Sequence, residues 1–117
     1  MNNIYTLPWV IEQMTGYKPK TTFWKDFGIA DVFGQNAVKE TYERAFKEWK
    51  NDTEYITELV MVLNWRSWLF ADVYEKTGKE EHRERSILYA DLYHRADNWC
   101  LKNLKKEDLS YYLRTTD

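Results

Sequence analysis

The stretch from Thr53 to Thr77 constrains the fold more than any other part of this chain. From Leu59 to Phe70 the apolar residues recur so densely that, at 100° per residue, they cover almost the whole circumference of a helix. Such a helix must be covered on most sides. Thr53 is expected to cap its start by accepting from a free first-turn N–H, and Glu54 puts negative charge at its positive end. Gly78 can take the left-handed conformation that closes the other end. Asn64, Arg66 and Asp72 interrupt the run, so it does not read as a bilayer span. These three fall within an arc of about 80° and read as the one solvent-facing strip of the helix; the competing reading is a polar notch for a ligand.

The flanking stretches supply the cover. Val38, Thr41, Tyr42, Ala45, Phe46 and Trp49 recur at three- and four-residue steps, which predicts an amphipathic helix over 35–50. Its outer face sets Glu40 before Arg44 and Glu43 before Lys47, the favourable order for ion pairs four apart. Asn51-Asp52 is so short a link that the 35–50 and 53–77 helices are expected as antiparallel neighbours. A third long helix is expected over 79–104, with acids at its start, lysines at its end and a stripe from Leu88 to Leu104 for burial. Its first turns, through Ser86, are charged all round and are expected to project into water.

Shorter helices complete the picture. Thr6 and Pro8 suit the start of a helix over Leu7–Thr15, ended by Gly16. Residues 1–20 are therefore read as a short N-terminal helix and linker, and 21–117 as the bundle domain. After a Thr cap, Phe23–Phe27 reads as one short helix, broken at Gly28. Ile29–Phe33 then makes one further turn, closed by Gly34. Asp108–Leu113 adds a last short helix, with Arg114–Asp117 fraying. The fold class is all-α: a single-domain bundle of three long helices, about 35–50, 53–77 and 79–104, with short helices at both ends.

A chain of 117 residues fits one domain. With 17 basic and 19 acidic residues, net charge -2, it lacks the basic stripe of a nucleic-acid binder and the polybasic patch that holds proteins on anionic lipid. One cysteine, Cys100, cannot make an internal disulfide, and Met1–Tyr5 lacks the basic and apolar regions of a signal peptide. The expectation is a cytoplasmic protein. Aromatic residues make up 17% of the chain, more than so small a core obviously needs. They either fill core and rim or form a binding surface, where Trp and Tyr concentrate energy. Phe23, Trp24, Phe27, Val32 and Phe33 lie within eleven positions, and a short segment so apolar is expected to pack across the open side of the bundle. The same Thr22–Phe33 segment, with Phe23, Trp24, Phe27 and Phe33, is the candidate partner-binding surface.

Several stretches also carry a family likeness: Thr21-Thr22-Phe23-Trp24-Lys25-Asp26-Phe27, then Ile29-Ala30-Asp31 with Phe33-Gly34, Ala45–Lys50, Thr57–Asn64 and the ending Tyr112 with Thr115-Thr116-Asp117. Together they resemble a group of small uncharacterised proteins of Gram-positive bacteria carried on prophages and other mobile elements. The likeness covers Thr21 to Asp117, with Lys79–Arg85 departing from it. It implies a bacterial cytoplasm and service to a mobile element, and brings no functional residue with it.

Chemistry finds few footholds. Asp91 and His94 stand three apart on one helix face, a spacing used in carboxylate-bridged metal sites, with Glu58 or Asp72 as a further ligand. The plainer reading pairs Asp91 with Arg95 and leaves His94 on the surface. No serine sits in a nucleophile elbow, and four scattered glycines form no phosphate cradle. Cys100 reads as a small core residue. The expectation is a non-enzymatic protein–protein interaction module without a cofactor, with an unidentified protein partner and a homodimer also open. A small metal-dependent protein using Asp91 and His94 is the alternative. A DNA-binding regulator is weaker still, for want of a basic helix-turn-helix.

Overall fold

The computed structural model describes residues 12, 13 and 15–117. Among these there are five α-helices and no strand: α1 Phe23–Phe33, α2 Gln35–Trp49, α3 Thr53–Thr77, α4 Glu80–Asn103 and α5 Glu107–Thr116. This is the all-α single-domain bundle the sequence predicts. Of the helix expected over Leu7–Thr15, only Glu12, Gln13 and Thr15 are described, and they are helical; the rest lies outside the described residues. No described helix is long and apolar enough to cross a membrane.

Helix α3 is the axis. Every residue from Ile56 to Leu63 is buried, as are Trp65, Arg66, Ser67 and Phe70. Removing a large aliphatic side chain from water is worth about 1.5–3 kcal/mol, so the run Ile56, Leu59, Val60, Val62 and Leu63 drives the assembly. The cap at its start is Asp52, not Thr53: the Asp52 carboxylate accepts from Tyr55 N–H at 3.1 Å, while Thr53 is already helical. Gly78 closes the other end in the left-handed conformation, with φ 69°.

The cover over α3 differs from the sequence expectation. Its main partner is α4, but α1 and α5 also lie on it, and α2 packs most extensively against α1. Helix α1 is continuous through Gly28, which is buried within it, so the expected break is absent. An internal glycine costs about 0.5–1 kcal/mol, a small penalty for a helix fastened at both ends. The start of α4 exposes Glu80, Glu81, Arg83 and Glu84 as expected, but its other side is docked. Ser86 and Ser67 exchange hydrogen bonds through hydroxyl and carbonyl at 2.8 and 3.0 Å, and His82 stacks on Phe70 at 6.1 Å. Helix α5 runs to Thr116, past the expected fraying point. The predicted pairing of Glu43 within its own helix gives way to a contact with Arg95 on α4 at 3.8 Å.

Candidate functional site

Two charged side chains of the central helix are buried: Glu58 is 1% exposed and Arg66 is 0%. Eight residues separate them, about 12 Å along the axis. Each fastens one end of α1. The Glu58 carboxylate accepts from Lys20 N–H at 2.8 Å, Thr21 N–H at 2.9 Å, the Tyr17 hydroxyl at 3.0 Å and the Thr21 hydroxyl. Burial, and then that carboxylate, push the Tyr17 phenol well above its ordinary range.

At the other end Arg66 donates to the Asp31 carboxylate and lies over Trp24 at 4.6 Å, Tyr89 at 5.3 Å and Phe70 at 5.8 Å. The second Asp31 oxygen accepts from Arg85 at 2.5 Å and from the Tyr89 hydroxyl at 2.8 Å. Burial foremost raises the Tyr89 pKa, so its hydroxyl stays a donor. With both carboxylate oxygens engaged, this cluster is a clasp joining α1, α3 and α4. Arg66 therefore does not lie on a solvent strip; α1 covers that side of the helix. Of its two companions, Asn64 is half-buried and Asp72 is exposed and paired with Lys76 at 2.9 Å.

The clasps decide which face of α1 points outward. Phe23, Trp24 and Phe27 are 4%, 2% and 0% exposed. Phe23 meets Tyr55 edge-on at 6.3 Å, and Phe27 meets Tyr89 edge-on at 5.7 Å. Three of the four candidate partner-binding residues are thus core, and only Phe33, at 78%, faces solvent. It is joined by Val32 at 76% and Ile29 at 48%, both within the Thr22–Phe33 segment. Their spacing, i, i+3 and i+4, marks a helix face, and the helix that runs unbroken through Gly28 turns it away from the buried Phe23, Trp24 and Phe27.

Beside this ridge runs a groove of about 680 Å³ between α1 and α2. Ile29, Phe33, Ala37, Thr41 and Ala45 line it, and Trp49 with Tyr55, 4.2 Å apart, stand at one end. The spacing of Ala37, Thr41 and Ala45 puts three small side chains on successive turns, which is what makes the surface concave. Asp26, Glu40 and Glu48 border it against Lys20 and Arg44, and Lys20 is tied to Glu54 at 2.7 Å.

The metal candidates do not come together with other ligands. Asp91 accepts from Arg95 at 3.0 Å, and His94 is exposed beside Tyr93. Glu58 is occupied in its clasp. Among the described residues no three His, Cys, Asp or Glu side chains converge. Cys100 is fully buried, and burial foremost pushes its thiol up to about 12. No family model matches the chain, nor does any curated protein or solved structure.

Proposed function

We propose that the chain is a non-enzymatic interaction module that receives an amphipathic helix of a partner protein in the α1–α2 groove. One observation carries the reading: Ile29, Val32 and Phe33 are held outward on a doubly clasped helix, beside a concave, largely apolar surface bordered by Asp26, Glu40 and Glu48 with Lys20 and Arg44. Helix-in-groove recognition uses apolar anchors at three- and four-residue steps, and a groove lined with small residues accepts them. Asp26, Glu40 and Glu48 call for lysine or arginine on the partner's flanks, since rim charges steer and select partners. The same acids disfavour a phosphate backbone. Following the likeness of Thr21–Asp117 to proteins of mobile elements, the partner is a host or element protein of a bacterial cytoplasm.

Affinity capture from the native cell tests this, with three variants beside the natural chain. A protein captured by the natural chain and by Trp68→Ala, but lost with Phe33→Ser and with Glu40→Lys/Glu48→Lys, is the expected result. Equal capture by Phe33→Ser sinks the proposal. If light scattering shows a dimer that Phe33→Ser splits, the groove receives a second copy of this chain instead.

A further inference from the structure

A second cavity, of about 270 Å³, opens elsewhere on the molecule and shares no lining residue with the α1–α2 groove. Four aromatic rings bound it: Tyr17, Trp65, Trp68 and Tyr93. Tyr17 and Trp65 stand 5.9 Å apart with their planes tilted by 52°. Trp65 is nearly buried, at 9%, whereas Trp68 is 59% exposed and forms an outer wall. Asn64, Asp117, Thr15, Thr115 and Thr116 supply the polar part of the lining, which includes neither lysine nor arginine.

The charge around these rings has one sign. The Tyr17 hydroxyl is bonded to the buried Glu58 carboxylate at 3.0 Å, which places negative charge behind that ring. The Tyr93 phenol is held protonated by burial and then by the negative charge of Asp97. Asp117 adds a carboxylate within the lining itself. Aromatic faces are negative at their centres and attract cations lying over them. An anion would meet the Asp117 carboxylate, with Glu58 and Asp97 behind the rings, and a purely apolar guest would desolvate Asp117 and Asn64 for nothing. A primary ammonium needs acceptors for three N–H donors, which ring faces supply poorly; of the lining hydroxyls, Thr15 already accepts from Tyr17 N–H at 3.1 Å and Thr116 donates to the Tyr112 carbonyl at 2.8 Å. A methylated ammonium carries charge with no donor to satisfy.

We infer that the Tyr17–Trp65–Trp68–Tyr93 cavity is a binding site for a small quaternary ammonium compound, the cation lying against the rings with Asp117 as its counter-charge.

The test is a calorimetric or tryptophan-fluorescence titration with choline and with its neutral isostere 3,3-dimethylbutan-1-ol. Choline is expected to bind saturably and the isostere about tenfold more weakly or worse, because only the cation gains from the ring faces. Trp68→Ala should weaken choline about tenfold while shifting the melting temperature by less than about 2 °C, as an exposed side chain should. Asp117→Asn should weaken it about threefold, and Phe33→Ser should change nothing. Co-sedimentation with phosphatidylcholine vesicles separates a lipid headgroup from a free solute: loss of vesicle binding on Trp68→Ala assigns the headgroup, and choline binding without vesicle binding assigns the solute. No saturable response up to about 20 mM choline, the weak end of small-ligand affinity, would overturn the site. Equal binding of the isostere would overturn the cationic guest.

Discussion

Asp31 is the residue on which most of the polar interior converges: two arginines and a tyrosine donate to its side chain. Removing one partner of a buried ion pair strands the other, at about 3–5 kcal/mol. Asp31→Ala should therefore lower stability by that amount in urea denaturation, because Arg66 has no exposure through which water could replace the carboxylate. A loss under about 1 kcal/mol would show that the cluster is no clasp. This is where sequence reading failed most clearly. A helical wheel puts Arg66 with Asn64 and Asp72 on one arc and cannot see that a helix begun thirty residues earlier crosses that arc with an acid at the right height. Cys100, by contrast, was legible: a lone small residue in an apolar stripe. Its buried thiol, pushed up to about 12, should resist iodoacetamide at neutral pH and react on unfolding. Fast native alkylation would contradict that burial.

Among the elements, α1 repays the closest reading. Its hydrophobic residues are visible in the sequence, but not their division between core and surface, because a glycine at position 28 reads as a stop and hides the shared register of the two halves. Helix propensity is a weak prior that two tertiary clasps outweigh. The real stop is Gly34, at φ 117° and ψ -179°, a region that essentially only glycine enters. A Cβ there would meet no neighbouring atom within 4 Å, so the cost of substitution is conformational. Gly34→Ala should destabilise the chain by about 1–3 kcal/mol. The opposite sign is expected at Lys106, which holds φ 53° without being a glycine, just before α5. Lys106→Gly should raise stability by up to about 1 kcal/mol, and unchanged urea midpoints for both variants would show that neither turn is strained. The long helices were legible to within a residue or two because hydrophobic periodicity carries their limits. The cap of α3 was not, since Asp52 and Thr53 are both good caps and only backbone geometry separates them.

At the scale of the whole molecule, the aromatic excess resolves into a property that can be measured. Tyr17, Tyr42, Tyr89 and Tyr112 all have phenols raised above their ordinary value by burial first, Tyr42 to about 12 and the others further. Acceptance by Asp97 adds to the effect at Tyr112, and the arginine beside Tyr89 works against it. A phenol loses its proton near pH 10 in the unfolded chain but keeps it when folded, so above about pH 10 the folded state holds more protons. Stability then falls as pH rises. This contribution is fully present below about pH 10 and is lost between there and the folded-state values, from about 12 upward. Urea midpoints should thus drop as pH rises past about 10, with the phenolate absorbance of these four tyrosines appearing in one cooperative step as the chain opens. Exposed tyrosines would give a gradual phenolate titration near pH 10 with the fold intact. That outcome would mean that the rings are not packed as the clasps require, and the outward ridge of α1 would lose its basis with them.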